Sequence, residues 1–86
     1  MNTLFLLAAK YDGAPLIPIE TVCNDFFSPM TVPTFLRKTS NGEINLTTVR
    51  MTDTRKSPKL IAIEDLAEYI DDKKRRAAKE AKALAN

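Results

Sequence analysis

Two apolar stripes at helical spacing, separated by a proline-containing break, constrain the fold of this chain more than any other feature. The first stripe occupies positions i, i+3, i+4, i+7 and i+8, which is typical of an amphipathic helix. Its members are Ile19, Val22, Cys23, Phe26 and Phe27. Cys23 lies on this apolar face, so we expect a packed thiol rather than a reactive one. The break is Ser28–Met30, and the second stripe follows at once, which predicts two helices joined by a tight turn.

The second stripe lies in residues 31–41, TVPTFLRKTSN. Thr31 can cap the helix because its hydroxyl accepts a hydrogen bond from an amide of the first turn. Gly42 suits the left-handed turn that ends a helix. The predicted buried face consists of Val32, Phe35 and Leu36, and the predicted outer face of Thr34, Arg37, Lys38 and Asn41. A short helix with a cationic, hydrogen-bonding front suits the major groove of DNA. An ordinary amphipathic helix with a solvated face remains the alternative.

Two elements are predicted before these helices. Thr3–Tyr11 is predicted to be a helix with Leu4 and Leu7 on one face, but it is apolar almost all round. Such a helix either lies deep in the core or meets another protomer. Leu16–Ile19 is predicted to be a short edge strand, because prolines at 15 and 18 lack an amide to donate.

A basic hairpin is predicted after Gly42. Ile44–Thr52 contains three Thr together with Ile, Leu and Val, which favours a strand. Lys59–Ile63 is a second candidate strand because Ile61 and Ile63 alternate inward, and the polar loop between the two is too hydrophilic for a core. The hairpin carries Arg50, Arg55, Lys56 and Lys59. Basic loops are often only solvated, but the position of this one directly after a candidate recognition helix favours contact with phosphate.

The last predicted element is a long helix over about residues 64–84. Acidic side chains cluster in its first half and basic ones in its second, which suits the helix dipole. We attribute the acidic cluster to helix solvation and not to a metal site. The Ala- and Lys-rich tail from Lys73 is a frayed end, a dimer arm or an additional phosphate clamp, and the pattern leaves these three open.

The net charge of +2 hides a strong pattern along the chain. Residues 1–30 carry −2, residues 31–59 carry +4, residues 60–72 carry −5 and residues 73–86 carry +5. Two positive zones separated by an acidic one suggest an anionic partner that meets a particular surface.

Composition excludes several classes of function. Histidine, the commonest general base and metal ligand, is absent from the sequence. The sequence also contains no glycine-rich phosphate-binding motif and no cysteine spacing typical of a zinc site. We therefore expect a protein that is not an enzyme and that binds no cofactor or metal. The apolar run Leu4–Ala9 is too short to span a bilayer. A single cysteine excludes an intramolecular disulfide and suits a reducing compartment, so we expect one soluble domain in the cytoplasm.

The order of elements resembles the winged-helix excisionases and their relatives in the MerR-like group. More specifically, the chain resembles the pyocin activator (PrtN-type) regulators of prophages and phage-derived bacteriocin clusters. The stretches that carry this resemblance are TLFLLAAKYDG (3–13), LIPIETVCNDFF (16–27), RKTSNGEINLTTVR (37–50) and KSPKLIAIEDLAEYID (56–71). Pro33 in the first turn of the recognition helix departs from the pattern but is tolerated at that position.

The residues and the resemblance together predict an α+β fold: a winged helix-turn-helix over residues 1–86, with its wing at about 46–63, an N-terminal helix and a long C-terminal helix. We expect a transcription regulator that binds double-stranded DNA and activates phage or pyocin-like genes in the bacterial cytoplasm, encoded by a phage or prophage. The alternatives are an excisionase-type DNA-bending protein and a small phage protein-interaction module or antirepressor. The residues predicted to contact DNA are Thr31, Thr34, Arg37, Lys38, Ser40, Asn41, Arg50, Thr54, Arg55, Lys56, Ser57 and Lys59.

Further partners are predicted from the size of the interface. One such domain buries about 600–1,000 Å² on DNA, which is modest for finding one site in a genome. We therefore expect a homodimer or a DNA-templated row of protomers, and the activator role implies host RNA polymerase as a further partner.

Overall fold

A computed structural model describes residues 2–85 of the chain. Within that range the chain forms four helices and one antiparallel sheet of three strands, which confirms the predicted α+β class. The helices are α1 (Thr3–Lys10), α2 (Ile19–Phe26), α3 (Val32–Ser40) and α4 (Ile63–Ala85). The strands are β1 (Leu16–Pro18), β2 (Val49–Arg50) and β3 (Lys59–Ala62).

The central strand of the sheet is β3, with β1 and β2 on either side, both antiparallel to it. Ile17 lies opposite Ile61, and Arg50 lies opposite Lys59. Side chains alternate between the two faces of a strand, so Lys59 shares a face with Ile61, which is fully buried. The basic pair therefore extends from the side of the sheet that packs on the core.

The core joins the sheet to all four helices. Its buried apolar members are Leu7, Ile17, Ile19, Val22, Cys23, Phe35, Ile44, Leu46, Ile61, Ile63, Leu66 and Ala67. Cys23 is among them, and its thiol donates a hydrogen bond to the Met30 carbonyl oxygen at 3.2 Å. The Phe27 ring lies 4.9 Å from Phe35 and 5.8 Å from Tyr69, centroid to centroid. These contacts hold the connection between α2 and α3 against α4.

Two sequence expectations about the core are wrong in part. Only Val49–Arg50 of the expected strand Ile44–Thr52 pairs with a neighbour. Ile44 and Leu46 are buried, but the Leu46 amide donates to the Ile44 carbonyl within the same segment, so alternate burial occurs here without a partner strand. Phe26 was expected on the buried face of α2 and is instead 40% exposed.

The first helix does not lie deep in the core. Leu4, Phe5 and Leu6 are 41%, 60% and 48% exposed, and only Thr3 and Leu7 are buried. This excludes the first of the two expected placements. The Asn2 side chain caps α1 by accepting a hydrogen bond from the Phe5 amide at 2.7 Å.

A polar contact fastens the end of α1 to α2. The Tyr11 hydroxyl donates a hydrogen bond to the Asp25 carboxylate at 2.6 Å, and Lys10 Nζ lies 3.9 Å from the same oxygen. Burial raises the pKa of the Tyr11 hydroxyl well above its ordinary value, and the hydrogen bond and negative charge of Asp25 raise it further.

The last helix extends beyond the body of the molecule. It has 23 residues, which corresponds to about 34 Å. Its first half packs through Leu66 and Ala67, and the Thr3 hydroxyl of α1 donates to Asp71 and accepts from Lys74. Residues 73–85 are all exposed, and the molecule measures 52 Å along its longest axis. Among residues 2–85, no helix combines the length and apolar character that a membrane span requires.

Candidate nucleic-acid interface

The third helix presents a polar face because its opposite face is anchored in the core. Phe35 is fully buried, and Val32 and Leu36 pack partly against the core. Thr31 caps the helix: its hydroxyl oxygen accepts from the Thr34 amide at 3.4 Å and donates to the Thr34 hydroxyl at 3.0 Å. The C-cap of α3 is Asn41, and Gly42 follows it with a left-handed backbone conformation, φ +85°. The buried face therefore fixes which side of α3 faces outward, and the cap and the turn fix where the helix begins and ends.

A carboxylate directly after this turn neutralises part of the predicted cationic front. Glu43 Oε2 lies 3.3 Å from Lys38 Nζ, and Glu43 Oε1 accepts a hydrogen bond from the Asn41 side chain at 3.3 Å. The Asn41 side-chain oxygen in turn accepts from the Glu43 amide at 3.0 Å. Lys38 and Asn41 are thus engaged with their own loop. Arg37 is exposed and forms no ion pair with any residue of the described chain.

The β2–β3 hairpin forms the second cationic element. Arg50 and Lys59 face each other at its base, and Arg55 and Lys56 are exposed at its tip. The loop is held by short-range contacts: the Ser57 amide donates to the Thr54 carbonyl at 3.1 Å, and the Thr52 amide donates to the Ser57 hydroxyl at 3.4 Å. Directly opposed like charges repel each other. An anionic ligand near the base of the hairpin would relieve that repulsion.

Most of the basic groups on α3 and the hairpin form no ion pair within the described chain. Within residues 2–85, no ion pair involves the α3 and hairpin cations other than Lys38: these are Arg37, Arg50, Arg55, Lys56 and Lys59. On α4, Arg75 and Arg76 both reach Asp72, at 3.6 Å and 3.0 Å, whereas the four lysines of that helix form no ion pair within the same residues. Unpaired cations therefore lie on α3 and the hairpin and also along α4, so an anionic partner has two cationic surfaces to meet.

The predicted site residues divide by exposure. Those that the structure leaves exposed are Thr31, Arg37, Ser40, Asn41, Arg50, Thr54, Arg55 and Lys56. Those that are half-buried are Thr34, Lys38, Ser57 and Lys59. The structure brings them together in two groups, one on α3 with its cap and one on the hairpin. Glu43 belongs to the first group and was missed; its place just after Gly42, five residues from Lys38, was the available signal.

A polar groove lies beside this surface, between the segment 42–47 and α4. It has a volume of about 440 Å³, and both carboxylates and cations line it, including Asp65, Glu68, Arg75 and Arg76. No cluster of three or more potential metal-ligating side chains occurs within residues 2–85. The groove therefore presents a surface of mixed charge.

The fold and the site define a small α+β protein with two consecutive packed helices and a basic hairpin. Residues 3–77 match the family model described as pyocin activator protein PrtN, so the chain belongs to the pyocin activator family. This confirms the family resemblance inferred from the sequence. The family is one of transcriptional activators, which links the chain to regulation of pyocin genes. No curated protein and no solved structure shows significant similarity to the chain.

Proposed function

We propose that this protein is a winged helix-turn-helix regulator that binds double-stranded DNA, with α3 in the major groove and the β2–β3 hairpin on the adjoining backbone. The order of elements supports the proposal: helix, strand, two helices, then a hairpin whose second strand is central in the sheet. The nine residues of α3 span about 14 Å, and a helix with its side chains fits a groove about 12 Å wide.

The observation that carries the proposal is that α3 and the hairpin together present five cations that form no ion pair within residues 2–85. Arg37 projects from the face of α3 opposite the buried Phe35, where a guanidinium could bridge O6 and N7 of guanine. The hairpin cations would neutralise phosphates, which positions the protein on the duplex without reading sequence. Lys38 must give up its ion pair with Glu43 before it can bind a phosphate, so it contributes less to DNA binding than Arg37 does.

In this proposal the protein acts in the bacterial cytoplasm and has no catalytic activity. It activates transcription by binding DNA beside host RNA polymerase. Because one domain offers a modest interface, two or more copies bind together on the operator. A footprint with purified protein over the promoters of the genes it controls would support this role. A footprint confined to attachment sites would support the excisionase alternative instead.

The roles of the two elements are tested by two substitutions. Arg37→Ala should cost about 1–3 kcal/mol and relax specificity at one base pair, because it removes a contact to a base. Lys56→Ala should weaken binding to all sequences alike and reduce the slope of log K against log salt by about 1. Lys10→Ala, which removes a cation from α1, is the matched control and should leave both quantities unchanged. Specific binding that survives Arg37→Ala would refute the placement of α3.

A further inference from the structure

The part of α4 beyond the body carries an apolar stripe without a partner. Ile70, Ala77, Ala81 and Leu84 fall on one face of the helix, at spacings of seven, four and three residues. Leu66 continues the same stripe into the body, where it is fully buried, whereas Leu84 is 88% exposed. A helix segment of this length is only marginally stable in water without packing. The overhang, residues 73–85, therefore has an apolar surface that continues the core.

An open apolar groove lies where this stripe leaves the body. It has a volume of about 410 Å³ and lies between the end of α2 and α4. It is lined mainly by apolar and aromatic side chains, with two lysines: Phe26, Phe27, Leu66, Tyr69, Ile70, Lys73, Lys74 and Ala77. Phe26 is exposed because its side chain lines this open groove, which the helical pattern did not predict. Its volume exceeds that of an aliphatic side chain, so the groove can accept one from another helix.

The charges beside the stripe indicate what occupies the groove. Glu80 is the single acid among six basic residues in 73–86, and within residues 2–85 it forms no ion pair. Lys73 lies seven residues earlier, two helical turns away on the same flank of the stripe. Lys79 lies on the opposite face of the helix. One flank therefore carries a cation near the groove and an anion near the tip.

We propose that the groove and the overhang bind a second copy of this chain, with the two α4 helices antiparallel and crossing near Ala77. In that arrangement Leu84 of one copy lies beside Ile70 of the other and fills its groove. Lys73 of each copy then faces Glu80 of the other, and two-fold symmetry repeats both contacts. In a parallel arrangement each flank would face the opposite flank of the partner, so Lys73 would not meet Glu80 and Leu84 would not reach the groove.

The antiparallel helices overlap from residue 70 to residue 84, which is about 21 Å. The basic residues on the outer face of each overhang stay in solvent, so the paired helices keep a cationic outer surface. This dimer does not depend on DNA binding, so it is tested on the free protein, and its failure would leave the proposed function standing.

The test is sedimentation equilibrium of the full chain without DNA, from low micromolar to several hundred micromolar protein. The wild type should show a monomer–dimer equilibrium, and Leu84→Asp should shift it to monomer while circular dichroism shows the fold retained. Phe5→Asp, a similar charge placed on the exposed face of α1, should leave the dimer intact. A protein that is monomeric at every concentration, or a dimer that is lost with Phe5→Asp but not with Leu84→Asp, would overturn the proposal.

Charge reversal tests the orientation of the helices. Lys73→Glu and Glu80→Lys should each weaken the dimer about tenfold, because two symmetry-related attractive pairs become repulsive. The double reversal should restore the wild-type dissociation constant to within about threefold, since it exchanges the charges without changing their pairing. Lys79→Glu makes the same change in net charge on the opposite face and should have little effect. A double variant no tighter than either single variant would refute the antiparallel register.

Discussion

Replacement of Glu43 by Gln should strengthen DNA binding, although it removes an ion pair. The Glu43 carboxylate neutralises Lys38 at 3.3 Å and also accepts a hydrogen bond from Asn41. Glutamine keeps a side-chain carbonyl for Asn41 and loses only the charge. The side chains of Lys38 and Glu43 are 33% and 57% exposed, and exposed pairs of this kind contribute about 0.2–1 kcal/mol to folding. We therefore expect the fold to persist with a small loss of stability.

The gain in DNA binding follows from the release of Lys38. If its ammonium group neutralises one additional phosphate, the slope of log K against log salt steepens by about 0.9. The ratio of variant to wild-type affinity should then grow about 3.5-fold when salt falls from about 200 mM to about 50 mM. Because phosphate carries no sequence information, specific and non-specific duplexes should gain alike.

Fluorescence anisotropy with a labelled duplex at four salt concentrations measures both quantities. Glu64→Gln, which removes an exposed carboxylate from the first turn of α4, is the control for a change in net charge. The gain must also vanish when Lys38→Ala is combined with Glu43→Gln, because the released group is then missing. An unchanged salt slope, or a gain that persists without Lys38, would refute the role assigned to this face of α3.

Two further predictions concern stability. Phe35→Ala should lower the free energy of unfolding by about 3–5 kcal/mol, because Phe35 is fully buried. Phe26→Ala should lower it by less than about 1 kcal/mol in the monomer, because Phe26 is 40% exposed. Equal shifts in the urea midpoint for the two variants would contradict the packing described. Burial and Asp25 raise the pKa of Tyr11, so above about pH 10 the unfolded chain loses a proton that the folded chain keeps, and stability falls as pH rises. Tyr11→Phe should remove that part of the decline in urea titrations at successive pH values, and an unchanged decline would show that Tyr11 is not its source.

The two consecutive helices were predictable because their determinants are local. Thr31 provides the cap, and the spacing of Val32, Phe35 and Leu36 defines a buried face that needs no knowledge of the rest of the chain. The break between the helices was also predictable, because Ser28–Met30 contains a proline that interrupts the helical pattern. The family resemblance rested on several weak motifs in order, and the family match over residues 3–77 confirms it.

The elements that sequence reasoning missed depend on contacts between distant segments. Ile44 and Leu46 alternate toward the core as in a strand, but no strand within residues 2–85 pairs with them, so periodicity alone overestimated the length of β2. Phe26 and Phe27 are adjacent, and helical spacing counted both as buried. Only Phe27 reaches the aromatic cluster, since α4 supplies Tyr69 on that side. The pairing of Glu43 with Lys38 likewise depends on the direction of the turn at Gly42.

The aromatic cluster also links the two proposed surfaces mechanically. Phe27 contacts Phe35 of α3 and Tyr69 of α4 at ring tilts of 51° and 52°, and the groove that receives Leu84 of the second copy shares Phe27 and Tyr69. The angle between α3 and α4 is therefore set by close packing, because such interiors deform little. In the proposed dimer, the packing within each copy therefore fixes the distance between the two α3 helices. A helix pair held at a fixed separation engages two half-sites only when their spacing along the duplex matches it.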